Sequence, residues 1–454
     1  EANRLVDTGI VDSLLSIGTQ GYPKPLNQRS LASLSKEIGL TLKGKAGVKA
    51  WRLRYNELDG VPLVEWPQEP IDYAILDSEA TLRVYEVQVA RTRLVKDPYG
   101  DLLELVSTDG VVTNLGAQIR NAFALRLMSL WGLMVDRKRV EALKEKTINE
   151  RTALEGILTD KGLLRAETGT VDTHILRTLV STAYEGDPPR TEKGSIRYDK
   201  GTLRGAPSLT YTLAFFNRYK YLEKLESTYL KPLLSAAKEG HNIHPSYDLP
   251  KKTGRSSSYR PNIQNQGRKS GIRPCFKAPD GYYLVSADYD CQEIRSWAQA
   301  ALTVYGIESK TLANFQEDPQ YDPHVSTAIE LLRELDGVHL TYEEAVLTKG
   351  SDPRVRARRQ QAKAANFGFP GGMGIPTFRQ YAKGYGVTLT EEAAHRVRDA
   401  WFAADPGHAQ YLKYISRSTR RGDAAFRQPY SGRVRANCGY TELANTAFQG
   451  LAAD

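Results

Sequence analysis

The sequence predicts a mixed α/β (α+β) chain built from several units, and three observations lead there. Its 454 residues exceed what one compact core serves, which sets an expectation of about three units. The run Tyr282-Tyr283-Leu284-Val285-Ser286-Ala287 is rich in β-formers, ends on the carboxylate of Asp288 and turns helical after it. Residues 308–400 follow the helical period, interrupted by glycines.

The elements follow in order. Residues 1 to about 92 carry helical patterns joined through Pro62, Pro67 and Pro70. Gly132-Leu133-Met134-Val135-Asp136 reads as a strand-like entry into a charged helix running through Lys146, and a second helical run is expected from Arg151 to Leu164. The polar segment 185–205, with Gly186, Pro188, Pro189 and Gly194, reads as a loop. A helix is expected from Tyr219 to Lys231, then the apolar strand before Asp288, then the helices of 308–400. No repeat or low-complexity tract interrupts this order.

Composition narrows the class. With 41% hydrophobic and 25% charged residues the chain is globular in type, and no apolar run approaches the ~20 residues of a membrane span. Cys275, Cys291 and Cys438 have neither disulfide-framework nor zinc spacing, which fits a reducing compartment. A net charge of +9 is modest for this length, so its distribution matters more. Lys251, Lys252, Arg255, Arg260, Arg268, Lys269 and Arg273 follow one another with no acid among them. Such a stretch, rich also in Ser, Asn and Gln, suits a phosphate backbone and minor-groove acceptors; a basic loop without a ligand is the alternative.

Two segments carry chemistry. Arg359, Lys363 and Phe367 stand at i, i+4 and i+8, so on a helix they share one face over roughly 12 Å, about the length of a nucleoside triphosphate. A planar guanidinium fork and an ammonium can hold a polyphosphate while a ring two turns on meets a sugar or base. A solvated basic helix with Phe367 in the core fits the same spacing. Asp288, at the end of an apolar strand, is a metal-ligand candidate because a buried carboxylate needs a partner; equally, it could cap the helix that follows.

Together these segments resemble the family A DNA polymerases, the DNA polymerase I family. Asp288-Tyr289-Asp290-Cys291-Gln292-Glu293-Ile294-Arg295 resembles that family's motif A, and Arg359 to Gly368 its motif B, Arg-x3-Lys-x3-Phe/Tyr-Gly. Thr253-Gly254-Arg255-Ser256-Ser257-Ser258 with Pro261-Asn262-Ile263-Gln264-Asn265 is similar to the segment laid along primer and template. Asp322-Pro323-His324 is similar to the Asp-x-His at the base of the fingers, and Asn445-x3-Gln449-Gly450 to the helix before motif C. Five motifs fall in the family's order over residues 250–454.

The resemblance implies a right-hand polymerase of palm, thumb and fingers. Residues 116–280 would be palm entry and thumb, 281–307 palm with motif A, 308–400 fingers with motif B, and 401–454 the return to the palm. It implies DNA-templated addition of deoxynucleotides to a primer 3′ end in replication or repair, with two Mg²⁺ ions as cofactors and primer-template DNA and dNTPs as partners. By the same resemblance Asp288 would ligate metal through its side chain and Tyr289 through its carbonyl. Arg359 and Lys363 would hold the triphosphate, Lys363 would also protonate the leaving pyrophosphate, and His324 would contact a phosphate. Phe367 would stack on the nucleotide and Glu293 would crowd the sugar's 2′ position. Arg255, Asn262, Gln264, Asn265 and Gln449 would touch DNA.

Residues 1–115 resemble the C-terminal half of a DnaQ-like, ribonuclease H-like 3′-5′ exonuclease domain, whose third motif is Tyr-x3-Asp: Tyr73 and Asp77 lie one helical turn apart. None of the 7 histidines is followed by Asp, so the family's His-Asp-Glu motif C is missing. The expectation is therefore an internal fragment of a larger polymerase or one piece of a split one, working as a monomer or with a complementary C-terminal piece. A cytoplasmic setting in a bacterial or phage-infected cell is expected, with no membrane contact. The motif B of family members places a Tyr where this chain has Gly371, which puts template stacking and sugar discrimination in question. A DNA-binding fragment without catalysis is the alternative from another class. A single-subunit RNA polymerase fits Glu293 poorly, and a stand-alone nuclease has one motif only.

Overall fold

The computed structural model describes residues 5–42, 51–91, 94–97, 101–107, 111–206, 208–238, 242–267, 270–420 and 422–454. Arg268 and Lys269 of the basic stretch lie outside the described residues, as do parts of the region 1–115. The chain divides into two compact units, one formed by 1–124, 248–256 and 289–454, the other by 125–247 and 257–288.

The first unit begins with α1 (Thr8–Gln20), α2 (Leu31–Glu37) and α3 (Gln68–Arg91), as the helical patterns predict. The Asp7 side chain caps α1 by accepting from the N–H of Ile10 at 2.9 Å, and Gly21 at φ 82 ends it. A side chain at Gly21 would also meet the carbonyl of Ala436, 2.4 Å from an ideal Cβ, so two requirements fall on one glycine. An antiparallel hairpin, β1 (Leu94–Lys96) and β2 (Leu102–Glu104), precedes α4 (Leu115–Trp131).

The second unit is built on α5 (Arg137–Asp160). Two helical runs were expected here, and one continuous helix forms instead. No glycine or proline breaks 147–151, and Val140, Thr147, Leu154 and Leu158 keep one buried face through the junction. Then come α6 (Thr173–Ala183), α7 (Lys200–Gly205), α8 (Tyr211–Lys224), a π-helical stretch Leu225–Leu230, and α9 (Lys231–Lys238). The end of the expected loop 185–205 is thus helical, because Asp199 caps α7 by accepting from the N–H groups of Gly201 and Thr202. Leu158, Leu176, Leu213 and Leu230 are fully buried in this unit's core, each contributing about 2 kcal/mol through area removed from water. A short sheet of β3 (Ser246–Asp248) and β4 (Ser257–Tyr259) follows.

The expected strand 282–287 is not one. These residues run outside any strand and lie exposed, Tyr283 at 92% and Val285 at 88% of their full area. The composition is that of a strand, but a strand exists only where a neighbour takes its N–H and C=O groups. No described segment pairs with this one.

The first unit resumes with α10 (Gln292–Tyr305), α11 (Lys310–Glu317), α12 (Pro323–Asp336), α13 (Tyr342–Thr348), α14 (Pro353–Gly368), α15 (Ile375–Lys383), α16 (Glu391–Ala404) and α17 (Gly407–Ser418). The antiparallel pair β5 (Ala424–Arg427) and β6 (Val434–Cys438) leads to α18 (Tyr440–Ala453). Ala362, Ala364 and Ala365 form a fully buried small-residue face on α14, which lets it lie close to Ala328 and Leu331 of α12 and Trp401 of α16. A second core gathers Trp297 of α10, Tyr411 of α17 and Ala444 and Ala447 of α18. Among the described residues, no helix is long and apolar enough to cross a membrane.

Candidate functional site

The α12–α14 pair organises the site. Asp352 and Pro353 start α14 with a side-chain cap and a helix-compatible proline, and its period then brings Arg359, Lys363 and Phe367 to one face. Asp322 caps α12 through one oxygen, accepting from the N–H of His324 at 3.0 Å. Its other oxygen takes Arg359 Nε at 3.0 Å and Nη2 at 2.6 Å. Lys349 Nζ stands 3.6 Å from the same oxygen, and the Asp322 N–H donates to the Tyr342 hydroxyl at 2.7 Å. Burial, the largest single influence, pushes the Asp322 carboxyl up. The hydrogen bond and charge of Arg359, with His324 and Lys349, outweigh it and hold the group below the usual carboxylate range.

Lys363 is half-buried and has no hydrogen bond or ion pair among the described residues. Phe367 is 37% exposed, with its ring centroid 5.3 Å from that of His324. Arg358 behaves differently: its guanidinium is bound by both oxygens of Asp336 at 2.7 and 2.5 Å. The basic helix therefore has a structural cation and a face of two further cations leading to a ring.

Behind this face lies a buried polar cluster. Asn366 Nδ2 donates to the carbonyl of Pro323 at 3.2 Å and meets His324 Nδ1 at 3.0 Å. Asn366 Oδ1 accepts from Trp401 Nε1 at 2.9 Å and Thr327 Oγ1 at 3.2 Å. Burial first, then the Arg359 and Lys363 charges, push His324 down to about 4, against the opposing pull of Asp322 and Asp290. His408, stacked on Trp401 at 3.8 Å and 9°, is likewise pushed by burial to about 4. Both imidazoles are neutral at pH 7.

Glu293 sits in the first turn of α10, is bound by Arg255 Nη2, and lines one cavity with Phe367, Asn366, Trp297 and Thr327. Asp288 and Tyr289 are exposed. The N-cap of α10 is Cys291, at φ 51 and without a side-chain cap, so Asp288 does not cap that helix. No group of three His, Cys, Asp or Glu among the described residues could hold a metal ion.

The expected DNA contacts divide. Arg255 and Gln449 belong to the first unit, Asn262, Gln264 and Asn265 to the second. In the second unit Ser258 Oγ accepts from the N–H groups of Ile263 and Gln264 at 3.0 Å each, and Asn262 Oδ1 accepts from the Asn265 N–H at 3.1 Å. These bonds shape the loop. The basic stretch is partly neutralised, Lys251 by Asp248 and Arg255 by Glu293. Gln449 Nε2 donates to Asn445 Oδ1 at 3.3 Å, and Asn445 Nδ2 to the carbonyl of Gly371 at 3.3 Å.

Gly371 packs against that amide: an ideal Cβ there would lie 2.7 Å from the end of the Asn445 side chain, which would have to shift to admit it. The ring of Tyr381 from α15 lies against Gly368, one residue from Phe367, and Tyr381 bonds the Tyr385 hydroxyl at 3.1 Å. Burial, that bond and the Tyr385 and Glu293 charges push its phenol up. In the N-terminal region, Tyr73 and Asp77 both sit on α3. Tyr73 contacts the Tyr55 ring, and Asp77 lines a recess with Val6, Leu31 and Tyr85 that holds no second carboxylate among the described residues.

Sequence reasoning assigned no role to Asp322 or Asn366, although both stand in quoted motifs. Asp before Pro at a helix start is a cap signal that could have pointed to Asp322. Asn366 makes its contacts with residues 35 to 43 positions away, and nothing local marks it.

A model of the family described as DNA polymerase family A matches residues 188–454. DNA polymerase I of Aquifex aeolicus (strain VF5) is 26% identical over 282 residues, which are 62% of this chain and 44% of that protein. DNA polymerase I of Geobacillus stearothermophilus is 25% identical over 336 residues, 72% of this chain and 35% of that protein. The enzyme of the same name from Pseudomonas aeruginosa is 34% identical over 204 residues, 43% of this chain and 19% of that protein. This chain thus spans less than half the length of these relatives. A solved structure, the POL domain of Pol1 from M. smegmatis in complex with DNA primer-template and dNTP, aligns with a TM-score of 0.59 at 18% identity. It covers 98% of this chain and 68% of that one, and the likeness shows the fold.

Proposed function

Because this chain belongs to DNA polymerase family A, we propose that it serves DNA-templated DNA synthesis and that the α12–α14 face receives the incoming deoxynucleoside triphosphate. The observation that carries this is the arrangement of Arg359, Lys363 and Phe367 along one face, with Arg359 aimed by Asp322. Arg359 and Lys363 would bind phosphate oxygens, and Lys363, which has no other partner among the described residues, is the group suited to hand a proton to the departing pyrophosphate. Phe367 offers an exposed ring to the nucleotide. Glu293, which lines a cavity together with Phe367, would crowd the sugar's 2′ position.

We assign residues 308–400 to fingers and 116–280 to palm entry and thumb, with Asn262, Gln264, Asn265, Arg255 and Gln449 toward primer and template. A part in replication or repair follows from the same reading. Magnesium chemistry is implied by the family, and Asp288 with the Tyr289 carbonyl are the donors we assign. Together they offer one side-chain carboxylate, and the described residues gather no group of three ligands. They do not by themselves fit a two-ion site. Tyr73 and Asp77 remain our candidates for a proofreading region, without an assigned reaction.

The test is nucleotide binding by the purified chain on a primer-template. Discrimination for the dNTP that pairs with the template base, lost in Lys363→Ala, is expected. Equal binding of all four dNTPs by the unaltered chain, unaffected by Lys363→Ala, would rule the reading out.

A further inference from the structure

Three hydrogen-bond assignments around Asn366 follow one from another. The Trp401 indole N–H can only donate, so the Asn366 atom 2.9 Å away is the oxygen. The amide nitrogen must then face the other side, toward the Pro323 carbonyl, which can only accept, and His324 Nδ1 at 3.0 Å. An amide N–H at that distance needs an acceptor, so Nδ1 carries no proton. A neutral imidazole with a bare Nδ1 has its proton on Nε2. The cluster is buried, Asn366 and His324 being 6% and 5% exposed and Trp401 1%, so an unmet donor or acceptor is costly and the assignments are energetically favoured.

We propose that Asn366 is a positioning residue that holds His324 as the Nε2–H tautomer, so that the imidazole meets the triphosphate as a neutral hydrogen-bond donor beside Arg359 and Lys363. This rests on the nucleotide-site reading above. The charges facing His324 come from Asp322 at the start of α12, Arg359 and Lys363 of α14, and Asp290 before α10. With two cations already at this face, a third buried positive charge would be costly to desolvate, whereas a neutral N–H adds a directed donor without that cost. Asn366 lies on α14 itself, so the helix carrying the two cations also sets the tautomer of the ring opposite them.

Nitrogen-15 NMR of the histidine-labelled chain at pH 7, without nucleotide, reads the tautomer directly; His324→Gln identifies the resonance. The expected result is a protonated Nε2 and a bare Nδ1. In Asn366→Asp the carboxylate can only accept, so the neutral ring moves its proton from Nε2 to Nδ1, the donor toward the triphosphate is lost, and dNTP affinity on a primer-template falls about tenfold. Should Asn366→Asp not fold, Trp401→Phe frees the amide to turn, and a mixture of tautomers is expected in its place. A protonated Nδ1 in the unaltered chain overturns the proposal. So does a change of tautomer in Asn366→Asp that leaves dNTP affinity unchanged. If the unaltered chain binds no nucleotide, the nucleotide-site reading fails by itself, while the NMR result still decides whether Asn366 sets the tautomer.

Discussion

Asp322 divides its carboxylate between two tasks: one oxygen caps α12 at the N–H of His324, and the other receives Arg359 of α14 at 2.6 Å. The residue that begins one helix thus aims the guanidinium of another. Because the ion pair is shielded but not sealed, its value lies more in orientation than in raw stability.

Asp322→Asn separates those tasks, since Asn caps a helix as well as Asp does. Arg359 loses its anionic partner and its fixed direction. Weaker dNTP binding, by roughly three- to tenfold, is expected with α12 intact. Titration of dNTP against the variant on a primer-template checks this, and unchanged affinity would show that Arg359 needs no such guide.

Lys363→Ala and Arg358→Ala should part company although both remove a cation from α14. Arg358 is held by Asp336, so its loss should cost roughly 1 kcal/mol or less of stability and little nucleotide affinity. Lys363 should cost roughly ten- to a hundredfold in dNTP affinity, the worth of a charge-assisted bond to phosphate. Equal losses for the two variants in parallel titrations would contradict a one-faced site.

Gly371→Tyr, which restores the residue expected from motif B, should destabilise the chain by about 1–3 kcal/mol, because its Cβ falls 2.7 Å from the Asn445 amide. Adding Asn445→Ala should recover part of that loss. Denaturant unfolding of the single and double variants reads this coupling, and additive effects would mean that Asn445 is not the obstacle.

Acid should weaken the first unit through its buried histidines. His324 and His408 are pushed by burial from 6.5 to about 4, so between those values the unfolded chain takes up protons that the folded chain refuses. Their contribution is complete above pH 6.5 and is lost as pH falls toward 4, at most about 3 kcal/mol for each. His408→Phe, which keeps a ring on Trp401, should flatten part of the slope in unfolding measurements from pH 7 to 4.5. A flat profile for the unaltered chain would mean that both rings are reached by water.

The legible part of the site was the part written at helical spacing. Arg359, Lys363 and Phe367 share a face because 3.6 residues make a turn, and Tyr73 and Asp77 lie one turn apart on α3 for the same reason. Asp322 stands 37 residues from the guanidinium it holds, and no local pattern announces that pairing. The run 282–287 had a strand's composition, yet β structure is a property of two segments, and one segment cannot supply it.

By itself the sequence determined the helical character of much of the chain, the order of the motifs and the face on which two cations and a ring line up, because each is written in neighbouring residues. The tertiary structure alone decided that Arg358 and Arg359 are each held by a carboxylate, what a side chain at Gly371 would meet, and which nitrogen of His324 keeps its proton. Those outcomes depend on contacts such as Asp322 with Arg359, Asn445 with Gly371 and Trp401 with Asn366. Such contacts exist only once burial has brought distant residues together and removed the water that would otherwise have served each of them.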